Sequence, residues 1–112
     1  MSPAGETRPG GAAALARIVQ LFLEQLDPQS EEIARAAASG DYEQLGRIAH
    51  RMKSSSATLG ATTLAAVLGK IEAAASDRDI GACEQLCVTF AVIAPRTRVA
   101  FEGVMEGLDA AS

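Results

Sequence analysis

Apolar residues recur at helical spacing along almost the whole chain, and this constrains the fold more than any other feature of the sequence. Between Ala12 and Leu26 they follow one another at intervals of three and four residues, and the same spacing returns in each later segment. The chain has no Asn-Gly hairpin signal and no run that alternates polar and apolar residues. The sequence therefore predicts an all-α fold.

Helix-breaking residues divide the first part of this pattern. Asp27-Pro28 follows the stretch Ala12–Leu26 and is predicted to end that helix, because proline lacks the N–H group that an interior position needs. The same pair suits the start of a second, shorter helix, with Asp27 as its cap and Pro28 in its first turn. This second helix is predicted to end at Gly40.

Three further helices are predicted. Asp41 caps the third, with Gln44 as its capping-box partner, and Gly60 ends it. The fourth covers about 61–76, and Asp79 caps the fifth.

The fifth helix contains two features that are unusual in a helix. Leu86–Ile93 is rich in residues that favour strands, and Pro95 removes a backbone hydrogen bond. Because the apolar phase persists across Pro95 as far as Leu108, we predict one kinked helix. Short connections join the predicted helices, so consecutive helices should pack as antiparallel neighbours in an up-down bundle.

The composition fits one small globular domain. With 112 residues, of which 48% are hydrophobic and 21% charged, the chain can bury a single core. Residues 1–11 are rich in Pro, Gly and small polar residues and lack the apolar stretch of a signal peptide. We assign them to a disordered leader, and 12–109 to a helical domain. No apolar run is long enough to span a membrane, so we expect a cytoplasmic protein without membrane contact.

The charge balance argues against a nucleic-acid partner. The net charge is −4 and the sequence pI is about 4.9, whereas nucleic-acid binding requires a basic surface. No cluster of basic residues interleaved with aromatic residues occurs in the sequence.

Cys83 and Cys87 do not suggest a disulfide or a metal site. On a helix their Cβ atoms would lie about 5–6 Å apart, which is too far for a relaxed disulfide. A zinc site needs more ligands than two thiols and the distant His50 supply. We interpret both cysteines as small buried side chains in a reducing compartment, and no metal site is predicted.

His50 is the only histidine in the chain. At about 100° per residue, Ile48 and Met52 lie on the apolar face of the third helix, whereas His50 points away from it. His50 is therefore either a surface histidine without a specific role or a residue that takes part in a reaction. Lys53 lies one turn further on, where its ammonium could reach an anion carried by the imidazole. A neutral imidazole is nucleophilic, and histidine side chains titrate near neutrality.

The residues around His50 form a recognisable pattern, which reads His50-x-x-Lys53-Ser54-Ser55-Ser56-x-x-Leu59-Gly60-Ala61-x-x-Leu64, followed by Ile71-Glu72. A run of small residues, Ala37–Asp41, precedes it. Together these features resemble the histidine-containing phosphotransfer (HPt) domain of bacterial two-component phosphorelays, over about residues 12–108. The family often has glycine at the position of Ser54, and serine is also small.

The resemblance implies a fold and a function. Helices two to five would form an antiparallel up-down four-helix bundle, and Ala12–Leu26 would be an additional N-terminal helix that covers one end. His50 would accept a phosphoryl group on Nε2 from a receiver-domain aspartate and pass it to another receiver aspartate. Lys53 would stabilise the phosphoryl oxygens. This chain would need no cofactor, since Mg²⁺ would be bound by the partner receiver.

Small and cationic side chains near His50 would form the docking surface for response-regulator receiver domains and a hybrid sensor histidine kinase. These residues are Gly46, Arg47, Arg51, Ser54 and Ala57. Bulky side chains at the three small positions would keep a partner's active site away from the imidazole. Helix packing is the other use of small residues, but these positions are predicted to lie on the wrong face for it.

Two alternatives stay open. The chain could be a non-catalytic helical docking module that binds a receiver or a kinase without being phosphorylated, or a four-helix adaptor outside two-component signalling.

The sequence has no Gly-x-x-x-x-Gly-Lys-Ser/Thr loop and no kinase-like glycine pattern. We therefore predict a phosphocarrier without ATP-dependent kinase activity of its own.

Overall fold

Four helices make up the part of the chain that the structure describes. The computed structural model describes the backbone of residues 3–111 and the side chains of residues 11–110. Helix α1 spans Pro3–Ser39, α2 spans Tyr42–Thr58, α3 spans Thr62–Ser76 and α4 spans Ile80–Ala111. Each helix packs on the next and α4 packs on α1, so the helices form an antiparallel bundle. The all-α prediction is confirmed.

The core lies between all four helices. Its largest fully buried side chains are aliphatic: Val19, Leu26, Ile33, Leu45, Ile48, Met52, Leu64, Leu68 and Ile71. Burying each such side chain stabilises the fold by roughly 2 kcal/mol. Leu45 of α2 and Leu68 and Ile71 of α3 have no exposed surface at all. This packing fixes the register of α2 against α3, on which the candidate site depends.

The three connections between helices share one backbone motif. Each places a residue with positive φ one or two positions after the end of the helix: Gly40 (72°), Gly60 (79°) and Arg78 (56°). The following residue then donates its N–H to a carbonyl in the last turn: Asp41 to Ala36 at 2.9 Å, Ala61 to Ser56 at 2.8 Å and Asp79 to Ala74 at 3.0 Å. These are the hydrogen bonds of a helix C-cap of the Schellman type. The predicted terminators Gly40 and Gly60 are confirmed.

Two predicted helix caps are also confirmed. Oδ1 of Asp41 accepts a hydrogen bond from the backbone N–H of Gln44 at 3.1 Å, and Oδ1 of Asp79 accepts one from Ala82 at 3.1 Å. The reciprocal half of the capping box is not formed. The side chain of Gln44 instead accepts a hydrogen bond from Arg47 at 2.8 Å.

The predicted break at Asp27-Pro28 is wrong, because α1 continues through both residues. The described backbone shows no additional N-terminal helix covering one end; the stretch 12–26 is part of α1, which is itself one of the four bundle helices. Leu26 and Ile33 lie two turns apart on either side of the proline, and both are buried. The apolar phase therefore passes through Pro28, and core packing outweighs the hydrogen bond that proline removes.

A side chain from α4 supports this segment of α1. The guanidinium of Arg98 donates a hydrogen bond to the carbonyl of Leu23 at 3.1 Å and forms an ion pair with Asp27 at 2.8 Å. Both contacts lie within the turn that precedes Pro28. They give this turn hydrogen-bond partners outside its own helix.

The start of α1 also differs from the prediction. The described helix begins at Pro3 and not at Ala12, so residues 3–11 of the proposed leader are helical in the described backbone. Extending a formed helix by one residue costs far less than nucleating a new one, which allows this continuation. Residues 1 and 2 lie outside the described residues, and the domain limits 12–109 stay a prediction.

The prediction of one helix across Pro95 is confirmed, since α4 is continuous from Ile80 to Ala111. Phe90 and Ala94 before the proline are buried, and Phe101 after it packs on Phe22 of α1, with the ring centroids 5.3 Å apart. Among the described residues, no helix is long and apolar enough to cross a membrane.

Ser56 is a polar residue inside the core, and we predict that replacing it stabilises the protein. Its side chain is fully buried, and its Oγ has no hydrogen-bond partner. Ser56→Ala should raise the free energy of unfolding by about 1–2 kcal/mol, because it removes an unsatisfied hydroxyl and favours the helix. Chemical denaturation measures this change.

Ser55→Ala is the matched control, because Ser55 is the neighbouring residue on α2 and is exposed. Ser55→Ala measures how far helix propensity alone raises the free energy of unfolding at an exposed position. A gain for Ser56→Ala no larger than that for Ser55→Ala would contradict the prediction.

Candidate functional site

His50 lies at the midpoint of α2 with its side chain directed to solvent. The side chain is 59% exposed, whereas Ile48, Ala49 and Met52 on the same helix are buried. The predicted orientation of the imidazole, away from the core, is confirmed.

Glu72 of α3 joins His50 to Lys53. Its Oε2 lies 2.8 Å from Nδ1 of His50, and its Oε1 lies 2.8 Å from Nζ of Lys53. One carboxylate therefore contacts both side chains that the sequence singles out for chemistry. The contact also connects α2 to α3 at the surface, above the core that packs these helices together.

The contact with Glu72 decides which nitrogen of His50 can react. A carboxylate accepts hydrogen bonds and cannot donate them, so the hydrogen of a neutral imidazole is assigned to Nδ1. The lone pair is then on Nε2, which makes no hydrogen bond to any described residue. The site thus presents an unhindered nitrogen nucleophile to solvent.

The same contacts favour the charged, deprotonated form of Glu72. The hydrogen bond from Lys53 is the largest cause that lowers the pKa of Glu72 below its ordinary value, and the bond to His50 acts in the same direction. Partial burial of the carboxylate opposes them but does not reverse the shift. Glu72 is therefore a carboxylate at neutral pH.

Lys53 reaches Glu72 along the surface of α3. A Cβ built on Gly69 would lie 3.4 Å from Cδ of Lys53, so the stem of the lysine runs against the surface of α3 at Gly69. The ammonium of Lys53 has three N–H donors, and among the described residues it donates one hydrogen bond, to Glu72. The ammonium is thus held beside the imidazole with capacity for a further anion.

Two hollows flank His50 along α2. The first, which we call the His50 cleft, has a volume of about 760 Å³ and extends from His50 toward the start of α2 and the turn after α3. Its cationic lining residues are Arg47, Arg51 and Arg78. The second is a groove of about 400 Å³ between α1 and the end of α2, where Ser54 lies beside Ile18 and Leu21.

The predicted docking residues are divided between these hollows. Gly46, Arg47 and Arg51 line the His50 cleft, Ser54 lines the second groove, and Ala57 is exposed near the end of α2. The expectation that Gly46 lies on a face without helix packing is wrong. Gly46 is half-buried, and a Cβ built on it would lie 3.7 Å from Cβ of Ala75 in α3.

Residue spacing in the sequence does not predict a role for Glu72, Gly69 or Arg78. Glu72 appears in the pattern that carries the family resemblance, and its position directly after the core residue Ile71 was the available signal. Its partners, however, lie 19 and 22 residues away in the sequence. Such a pairing depends on the register of two helices, which residue spacing within one helix does not reveal.

The described residues contain no group of three or more His, Cys, Asp or Glu side chains that could hold a metal ion. Cys83 is buried and Cys87 is half-buried, and both are free thiols. Burial raises the pKa of each thiol, which disfavours the reactive thiolate. These cysteines are therefore poor nucleophiles.

We predict that Glu72 sets the tautomer of His50. In Glu72→Ala, the neutral imidazole should shift from the form protonated on Nδ1 toward the form protonated on Nε2, because the acceptor beside Nδ1 is lost. Nitrogen-15 NMR correlation spectra of the imidazole ring distinguish the two forms. Glu43→Ala removes an exposed glutamate that pairs with Arg47 at 2.9 Å, and it should leave the tautomer unchanged. An unchanged tautomer in Glu72→Ala would contradict the assignment.

Comparison with known proteins gives one match. A family model described as the Hpt domain matches residues 17–111, a range that contains the complete helices α2 and α3 and the cluster of His50, Lys53 and Glu72. No curated protein and no solved structure gives a significant match. Hpt domains relay phosphate with receiver domains and carry no kinase domain of their own. The resemblance predicted from the sequence is confirmed, and the chain belongs to the Hpt domain family.

Proposed function

We propose that this chain is a phosphorelay intermediate in which Nε2 of His50 carries the phosphoryl group. It accepts the group from the phosphoaspartate of one receiver domain and passes it to the aspartate of another. The observation that carries this proposal is the 2.8 Å contact between Nδ1 of His50 and Glu72, which leaves Nε2 as the free nucleophile on an exposed ring. Membership of the Hpt family supports the same reaction.

The phosphoryl transfer requires no general acid or base, because no proton has to move. The lone pair of Nε2 attacks phosphorus, the Nε2–P bond forms, and the P–O bond to the aspartyl group breaks. The aspartate leaves as a carboxylate with the electron pair. The imidazole keeps its hydrogen on Nδ1 and becomes positively charged, and the Glu72 carboxylate beside Nδ1 stabilises this charge. Transfer to the next receiver reverses these changes.

Lys53 supplies positive charge to the phosphoryl group. Phosphoryl transfer depends mainly on positioning and on stabilising charge at the phosphoryl oxygens. Nζ of Lys53 is held at 2.8 Å from the carboxylate that also contacts Nδ1 of His50, which keeps the ammonium in the same cluster as the imidazole. Its remaining N–H donors can bind a phosphoryl oxygen.

The partners in this proposal are response-regulator receiver domains, including one attached to a hybrid sensor histidine kinase. Gly46, Arg47, Arg51, Ser54 and Ala57 form the docking surface around His50. The receiver supplies Mg²⁺ and the carboxylates that bind it. The chain itself acts as a phosphocarrier and does not use ATP.

The first test is a comparison of wild type with His50→Gln in phosphotransfer from a labelled receiver domain. Wild type should gain a label that is labile in acid and stable in base, and His50→Gln should gain none. Because the side chain is exposed, the circular dichroism spectrum of the variant should be unchanged. A labelled His50→Gln would contradict the assignment of the phosphoacceptor. Binding of receivers by an unlabelled wild type would instead indicate a non-catalytic docking module.

Lys53→Ala should slow transfer roughly tenfold, because one charge-assisted contact to the phosphoryl oxygens is lost. Its free energy of unfolding should change by less than about 1 kcal/mol, since Lys53 forms a partly exposed ion pair. Rapid-quench kinetics with a labelled receiver measures the rate. Lys70→Ala removes a neighbouring exposed lysine of α3 and serves as the control. Equal rates for the two variants would contradict this role of Lys53.

A further inference from the structure

The turn between α3 and α4 uses an arginine where the other two turns use glycine. All three turns share the same two hydrogen bonds back to the preceding helix, and the residue with positive φ is Gly40 in the first, Gly60 in the second and Arg78 in the third. A Cβ atom makes this backbone conformation unfavourable, whereas glycine adopts it freely. The third turn therefore carries a local strain that glycine would remove. An observed strain of this kind suggests that the side chain has a use.

Arg78 is exposed and is one of the residues that line the His50 cleft. Its guanidinium carbon is 6.0 Å from the centroid of the Tyr42 ring, at the outer limit of a cation–π contact. Tyr42 is the first residue of α2, and it lines the same cleft as His50 and Arg78. The strained turn and the aromatic ring together direct a cation toward the surface that holds the phosphoacceptor.

Two of the three arginines that line the His50 cleft are available for an external partner. Arg47 is paired with Glu43 at 2.9 Å, but neither Arg51 nor Arg78 forms an ion pair with any described residue. The negative charge of Glu72, which also lines the cleft, is balanced by the ammonium of Lys53 at 2.8 Å. The cleft is therefore cationic in a chain whose net charge is −4. Such a local reversal of sign attracts and orients an anionic partner.

We propose that Arg78, together with Arg51, binds the acidic surface around the phosphoaspartate of the receiver domain. This inference rests on the proposed phosphorelay function and names the part of the chain that orients the partner. A receiver active site is anionic, since it contains a phosphorylated aspartate and the carboxylates that hold its metal ion. Arg78 contacts the rim of that site while Nε2 of His50 faces phosphorus. It is a docking residue and takes no part in the chemical step.

The experiment compares two donors of the phosphoryl group. A phosphorylated receiver must dock, whereas phosphoramidate is a small donor that reaches the imidazole without docking. In Arg78→Gly and in Arg78→Gln, the second-order rate constant from the receiver should fall roughly fivefold relative to that from phosphoramidate. The dependence of the receiver rate on salt should also weaken. Arg96→Gln removes an exposed arginine of α4 and is the charge-matched control.

Arg78→Gly separates docking from folding. Because glycine relieves the positive φ, this variant should unfold at the same temperature as wild type or higher, although its transfer from the receiver is slower. Wild-type transfer rates in Arg78→Gly, or an equal loss of rate in Arg96→Gln, would overturn the proposal. If His50 gains label from both donors and Arg78 has no effect, only the docking role fails. If His50 gains label from neither, the phosphorelay function fails with it.

Discussion

The carboxylate of Glu72 orients both chemical groups of the site. Without it, the imidazole of His50 would be free to rotate and to exchange tautomers, and the ammonium of Lys53 would be one more solvated lysine. With it, Nδ1 and Nζ are each held at 2.8 Å from one rigidly placed anion. The energetic contribution of such partly exposed pairs to stability is small. Their importance is geometric, because they decide which nitrogen faces solvent and where the nearest positive charge lies.

The position of Glu72 depends in turn on the packing beneath it. Ile71, its neighbour in the chain, is completely buried, as are Leu45 and Leu68 in the same interface between α2 and α3. Helix register in such a core is determined by side-chain interdigitation, which tolerates little displacement. Gly46 faces Ala75 of α3 and Gly69 faces the stem of Lys53, each at a distance where an added Cβ would make an ordinary van der Waals contact. The apolar core takes no part in the proposed reaction, but its packing positions the polar cluster.

Some features of this fold depend on residues that are close in the sequence, and others depend on contacts between distant segments. Gly40, Gly60 and the caps Asp41 and Asp79 were predictable, because each acts within one turn of chain. Continuity across Pro95 was predictable from apolar phase. The same phase continues across Pro28, but the Asp-Pro pair there is also a strong local stop signal. What decides the outcome is not local: buried Leu26 and Ile33, and Arg98, which reaches back from α4.

The candidate site divides in the same way. His50 and Lys53 share one face of one helix, so their spacing identifies them in the sequence. Glu72 becomes part of the site only when α3 is packed against α2, and Arg78 only when the third turn closes over the start of α2. Neither relation is visible in the spacing of residues within a helix. The sequence therefore predicts the half of the site that α2 carries, and the tertiary structure adds the half that orients it.

Phosphorylation would change the net charge of the cluster formed by His50, Lys53 and Glu72 in the proposed relay. In the resting cluster, the charges of Lys53 and Glu72 cancel beside a neutral imidazole. A phosphoryl group adds about −1.5 to −2 charge, and the imidazole, now substituted on Nε2 and protonated on Nδ1, adds one positive charge. The phosphorylated cluster is therefore more negative than the resting one and would repel the acidic site of the next receiver. We expect the cations outside the cluster, at Arg51 and Arg78, to offset this repulsion without binding the phosphoryl group so tightly that it could not leave.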